Sequence, residues 1–208
     1  MSLQEIRQQA YNELDKLGYT KLFDNRPKDA IPPVWEDLWF LYQKVRERLP
    51  QTIVEFGSGC STIIMTKAIA DNQRNCWGTL ISSESNLFWK TVLQRGFPEI
   101  SVVNKTQIHF APCIEQQWDN VSCFYYHNEI FNFMWDEIDF LYLDGPELTD
   151  KTKVTLNPVV LEPRFADNFY MVVDGRPETV NFLEKHLKGK YDIQRNYVEN
   201  RTTFEKIA

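Results

Sequence analysis

The chain has 208 residues, with 23 basic and 29 acidic side chains, a formal net charge of −6 at pH 7 and four cysteines. That length carries one domain with a sizeable core, and the acidic balance argues against a broad surface for nucleic-acid phosphates. No apolar run approaches the roughly 20 residues of a membrane-spanning helix. The charged start, MSLQEIRQQA, is unlike a secretory leader, and Cys60, Cys76, Cys113 and Cys123 lack the paired spacing of a zinc or redox site. Composition therefore points to a cytoplasmic single-domain protein with neither a nucleic-acid nor a membrane partner.

Leu3, Ile6, Ala10, Leu14 and Leu17 recur at helical spacing, with Gly18 as the stop. A second stripe runs through Trp35, Leu38, Trp39, Tyr42, Val45 and Leu49 and ends before Pro50. These helices form an N-terminal extension over residues 1–50, ahead of a unit over 51–208. Ile53–Phe56 reads as a short buried strand, broken by Gly57-Ser58-Gly59, with a helix starting near Ser61 or Thr62. Gly78–Ile81 is a second strand, followed by a helix over Asn86–Arg95. Gln107–Ala111 is a third, in competition with Val102-Val103, and the aromatic stretch Trp118–Trp135 has no period and reads as a loop with a short helix.

Ile138–Leu143 and Asn168–Val173 are the fourth and fifth strands, and the helix Glu178–Leu187 stops at Gly189. Tyr191–Val198 and Thr202–Ile207 form a closing hairpin about Glu199-Asn200. Strands alternating with helices predict an α/β fold: a doubly wound, mostly parallel seven-stranded sheet with an antiparallel C-terminal hairpin.

The segment Val54-Glu55-Phe56-Gly57-Ser58-Gly59-Cys60-Ser61-Thr62 is the most informative. Two glycines permit a tight turn and close approach of a ligand to the main chain, and free N–H groups at the helix start favour polar or anionic groups. Thr62 occupies the place of the third glycine of a dinucleotide fingerprint, which disfavours a pyrophosphate cradle. Glu55 lies inside an apolar strand and needs a partner or an open strand end. Glu84 ends the second strand, where one carboxylate can accept from both hydroxyls of a ribose. The bland alternative is a strand–turn–helix whose glycines serve packing alone.

With these residues in view, the sequence resembles the class I S-adenosylmethionine-dependent methyltransferases over roughly residues 51–207. The resemblance implies a Rossmann-like fold binding S-adenosylmethionine, with Glu55, Gly57, Ser58, Gly59, Ser61 and Glu84 as cofactor contacts. It also implies that the closing hairpin supplies the family's antiparallel seventh strand. Ala111-Pro112-Cys113 offers no obvious polar contact for the adenine.

Asp144 and Asp174 follow the fourth and fifth strands in Leu143-Asp144-Gly145-Pro146 and Val173-Asp174-Gly175-Arg176. On neighbouring parallel strands, roughly 4.8 Å apart, both emerge at the carboxyl edge. The pair is similar to that of the cation-dependent O-methyltransferases, which implies Mg²⁺, but Gly175 replaces the asparagine ligand of that group and disfavours the metal. Without a metal, Asp144 is the candidate catalytic base, and Asp174 and Arg176 the candidate substrate contacts, Arg176 through an anionic group. Both aspartates also suit turns that bond only their own loops. The resulting expectation is a methyltransferase acting on a hydroxyl of a small molecule. The alternative is a non-catalytic nucleoside- or partner-binding module on the same fold.

Overall fold

Ser2 and Glu5 start the first helix as a reciprocal cap: the Glu5 amide donates to the Ser2 hydroxyl at 3.3 Å, and the Ser2 amide donates to the Glu5 carboxylate at 2.7 Å. The helix α1 (Leu3–Lys16) buries Ala10 and Leu14 and closes at Gly18, whose φ of 75° places it in the left-handed region. A single 3₁₀ turn (Thr20–Phe23) leads into α2 (Trp35–Arg48), which ends with Leu49 left-handed (φ 50°) before Pro50. The computed structural model describes residues 1–72, 78–96, 106–133 and 137–207. Cys76 and the alternative strand at Val102-Val103 lie outside the described residues.

The core unit begins with β1 (Thr52–Phe56) and α3 (Cys60–Asp71), then β2 (Thr79–Glu84) and α4 (Leu87–Gly96). The strand β3 (Thr106–Phe110) leads to β4 (Cys113–Trp118), β5 (Val121–Tyr126) and the short α5 (Ile130–Phe133). There follow β6 (Ile138–Leu143), β7 (Val154–Thr155) and α6 (Asn157–Leu161). The chain closes with β8 (Phe165–Asp174), α7 (Pro177–Leu187), β9 (Tyr191–Asn196) and β10 (Arg201–Lys206).

Seven strands form the main sheet in the order β3-β2-β1-β6-β8-β10-β9. From β3 to β8 the pairing is parallel, and β10 runs antiparallel between β8 and β9. The doubly wound α/β sheet with an antiparallel closing hairpin is therefore present. Side chains alternate between two cores. Ile53, Leu80, Phe140 and Val172 pack with α1, α2 and α3, while Val54, Phe56, Leu141 and Val173 pack with β5 and α7. Burial on both faces explains why these strands read as continuous apolar runs. Trp35 and Trp39 are partly buried against the first core.

Two expectations need correction. The stretch from Trp118 is not an irregular loop. Antiparallel β4 and β5 form a hairpin, joined by Asp119 and Asn120 with positive φ of 48° and 63°, and β7 adds to β5 in parallel to make a second, three-stranded sheet. Two left-handed central residues suit a tight hairpin turn. The polar run Glu115-Gln116-Gln117 on largely exposed β4 hid its alternation. The closing hairpin also turns over residues 197–200, not over two residues, because the Asn196 side chain accepts from the amides of Val198 (3.1 Å) and Glu199 (3.2 Å) and ends β9 early.

At the carboxyl edge the loops after β1 and β6 meet through two glycines. The amides of Asp144 and Gly145 both donate to the Phe56 carbonyl, at 3.0 and 2.7 Å. A Cβ on Gly145 would lie 2.7 Å from the Gly57 backbone and well inside contact distance of the Tyr126 hydroxyl oxygen. Gly145→Ala should therefore cost about 1–3 kcal/mol of stability from overpacking. Urea denaturation reads this as a lower midpoint, and an unchanged midpoint would show that the glycine pair is not a close contact.

Candidate active site

The carboxyl edge of β1 lies between β2 and β6, where the strand order reverses, and such a reversal opens a crevice for ligands in open α/β sheets. Glu55 has no exposed surface there. Its carboxylate accepts from Ser61 Oγ (2.6 Å), Thr62 Oγ1 (2.6 Å) and Ser82 Oγ (2.5 Å). Three hydroxyls donating to the two oxygens form a cage that can hold an ionised carboxylate. Burial nevertheless pushes the acid up to about 7, against the pull of the hydroxyls. Ser61 and Thr62 belong to the first turn of α3, so Glu55 ties the strand, the turn and the helix together.

Gly57 turns the chain at a φ of 93°, and a Cβ there would meet the Gly145 amide nitrogen at 2.7 Å. Gly59 differs, since a Cβ there would meet nothing within 4 Å. The second glycine therefore faces open space, which is room for a ligand against the main chain. Glu84 is buried at the end of β2. Its Oε2 accepts from the Ser58 amide (3.0 Å) and its Oε1 from the Asn86 amide (2.7 Å). A carboxylate offers about four lone-pair sites, so acceptor capacity remains beyond these amides for a hydroxyl donor. The Ser58 and Ser82 hydroxyls lie 2.6 Å apart and link this acid to the Glu55 cage.

Asp144 and Asp174 emerge from neighbouring strands, as expected, but into different surroundings. The Asp144 side chain is 53% exposed and stands 3.9 Å from the guanidinium of Arg176. Burial of its surroundings and the charge of Asp174 raise its pKa, and Arg176 opposes the rise. Asp174 accepts from the Tyr142 hydroxyl at 3.1 Å. It shares its field with Glu36 and Asp37 from the start of α2, and burial raises both Asp174 and Asp37. Arg201 spans Asp37 (3.0 Å) and Glu199 (2.5 Å).

Arg176, with 7% of its side chain exposed, donates to the Asp144 main-chain carbonyl, while its Nε and Nη1 have no hydrogen-bond partner. A guanidinium beside one carboxylate, a tyrosine on the other and glycine at position 175 make a poor Mg²⁺ site, because that ion needs several oxygen ligands and no adjacent cation. No group of three potential metal-ligating side chains occurs among the described residues.

No protein-family model and no curated protein matches the sequence. Solved structures do match it. An O-methyltransferase from Bacillus cereus in complex with SAH (S-adenosylhomocysteine) aligns at a TM-score of 0.59 and 11% identity, over 95% of this chain and 91% of that one. An SAH-bound methyltransferase from Podospora anserina aligns at 0.60 and 12%, over 99% and 88%. The O-methyltransferase TomG from Streptomyces achromogenes, in complex with SAM (S-adenosylmethionine), aligns at 0.58 and 14%, over 99% and 89%. The chain has the class I methyltransferase fold. Its Rossmann-like sheet order and its closing antiparallel hairpin are those expected from the resemblance.

On this methyltransferase fold the structure brings Glu55, Gly57, Ser58, Gly59, Ser61 and Glu84 together around one turn. Asp144 and Arg176 are adjacent on the β6–β8 side, and Asp174 stands apart with Tyr142 and Asp37. Sequence reasoning missed Thr62 and Ser82 as partners of Glu55, although a carboxylate in an apolar strand demands donors. It also missed Asp37, for which the sequence carries no signal. Glu55 holds its proton more tightly in the folded state than its ordinary 4.5, so it stabilises the fold at low pH and that contribution is lost as pH rises from 4.5 to 7. The expected loss is about 3 kcal/mol. Denaturation midpoints at pH 5 and pH 8 should differ less in Glu55→Gln than in wild type, and an equal difference would rule out Glu55 as a source.

Proposed function

We propose that this protein transfers a methyl group from S-adenosylmethionine to a hydroxyl of a small molecule. The observation that carries this reading is the caged turn at the strand-order reversal, with open space at Gly59 and Glu84 beside it with acceptor capacity to spare. Gly57, Ser58 and Gly59 would meet the cofactor through their main chain, Glu84 would accept from the ribose hydroxyls, and Glu55 and Ser61 would hold the turn in shape. The SAM- and SAH-bound neighbours support the same assignment. When bound, the cofactor supplies an electrophilic methyl group on a sulfonium.

The chain's own residues then have little to do beyond holding the acceptor in line and taking one proton. Asp144 is exposed enough to reach a substrate hydroxyl and basic enough, for a carboxylate, to accept its proton. Arg176 stands beside it, and Asp174, one strand over against the Tyr142 hydroxyl, would complete the acceptor side. Residues 1–50 form the extension in this reading and residues 51–208 the cofactor unit, so that the acceptor is recognised by α2 and the loops at the carboxyl edge. No metal takes part. No helix among the described residues is long and apolar enough to cross a membrane, and the −6 charge fits a cytoplasmic protein without a nucleic-acid partner.

Calorimetric titration with S-adenosylmethionine tests the reading. Wild type should bind, with the same affinity with and without Mg²⁺. Glu84→Ala should bind at least about tenfold more weakly, the loss expected for hydrogen bonds to a charged group. A wild type that does not bind, or full affinity in Glu84→Ala, would overturn the cofactor assignment, and binding without methyl transfer to any hydroxyl compound would favour a non-catalytic module.

A further inference from the structure

The turn between β1 and α3 spends its own amides inside the protein. The Gly57 amide donates to the Ser83 carbonyl at 2.9 Å, the Ser58 amide to Glu84 Oε2 at 3.0 Å and the Gly59 amide to Thr62 Oγ1 at 2.9 Å. With these three N–H groups engaged, what Gly57, Ser58 and Gly59 offer a ligand is oxygen. One of those oxygens is the hydroxyl of Ser58, which is half-buried next to the open space at Gly59.

The cage around Glu55 fixes which way that hydroxyl points. An ionised carboxylate only accepts, so Thr62 and Ser82 each give their single proton to Glu55 Oε2, at 2.6 and 2.5 Å. Ser82 Oγ also lies 2.6 Å from Ser58 Oγ. Having no second proton, Ser82 accepts there and Ser58 donates. The Ser58 proton is thus committed inward, and its oxygen keeps acceptor capacity alone for a ligand. An acceptor backed by a buried carboxylate suits a donor that carries positive charge. In S-adenosylmethionine the ribose hydroxyls are matched to Glu84, and the sulfonium has no hydrogen to donate. The α-ammonium of the amino-acid arm is the charged donor.

We infer that Ser58 Oγ accepts a hydrogen bond from the α-ammonium of the cofactor, and that Ser82 is a positioning residue that turns the Ser58 proton away from it. This inference rests on the proposed methyltransferase reading and adds a side-chain contact to the main-chain ones of the turn. Ser82 itself has no exposed surface and acts only through Ser58.

Two probes separate the amino-acid arm from the nucleoside. S-adenosylhomocysteine carries the ammonium without the sulfonium, and methylthioadenosine keeps the nucleoside without the amino-acid arm. Both are titrated calorimetrically into wild type, Ser58→Ala, Ser82→Ala and the double variant at pH 8, above the value of about 7 to which burial pushes Glu55. Wild type should bind both. Ser58→Ala should bind S-adenosylhomocysteine about tenfold more weakly and Ser82→Ala roughly three- to tenfold more weakly. The double variant should lose no more than Ser58→Ala, because both substitutions break one path. Methylthioadenosine should keep its wild-type affinity throughout, which also shows that the variants are folded. Full S-adenosylhomocysteine affinity in Ser82→Ala, losses that multiply in the double variant, or an equal loss of methylthioadenosine would overturn the inference and leave the cofactor assignment standing. A wild type that binds neither probe would overturn both.

Discussion

A carboxylate with no exposed surface stands at the end of the central strand, and three hydroxyls from two other elements close around it. Burying an acid in an apolar strand is expensive unless its oxygens are satisfied. Glu55 meets that condition by drawing the first turn of α3 and the middle of β2 onto β1. The cost and its compensation together define the geometry of the turn. A helix displaced by one residue would take Ser61 and Thr62 out of reach and leave the acid unpartnered. The glycines between strand and helix allow the chain to make that connection, but the acid decides where it ends.

A second constraint acts from the other face of the sheet. Gly57 and Gly145 touch backbone to backbone, and the Tyr126 hydroxyl rests on the same spot. Three loops thereby meet without a side chain between the first two. The second sheet is more than a decoration on this account, since β5 carries the aromatic residue that completes the junction. Glu84 and Asp144, separated by 60 positions in the chain, are held in register by this contact and by the neighbouring strands.

The N-terminal helices share a core with the sheet. Leu38, Leu41 and Val45 are buried with Ile53, Ile64 and Phe140. The start of α2 also brings Glu36 and Asp37 toward Asp174, and Arg201 between Asp37 and Glu199 offsets part of that negative charge. Asp174 consequently differs from Asp144 in character. One is enclosed by a tyrosine and other acids, and the other is open to the cleft beside a guanidinium.

Much of this protein is legible in the order of its residues. The amphipathic stripes, the apolar strands and the glycine turn are local patterns, and they sufficed for the α/β class and the seven-stranded sheet. The hairpin at Cys113–Tyr126 escaped because one strand is polar along most of its length, so its identity depends on a partner strand and not on its own period. What only the tertiary structure decided is which donors reach Glu55, that Tyr126 lies on Gly145, and that Asp174 faces Asp37 while Asp144 faces the cleft. Those facts join residues far apart in the chain, and a contact across folded loops leaves no periodic trace in either segment that makes it. The opening charge of −6 belongs to the same division: the sequence counts the acids, and the fold determines which are caged, which are paired and which remain open to a ligand.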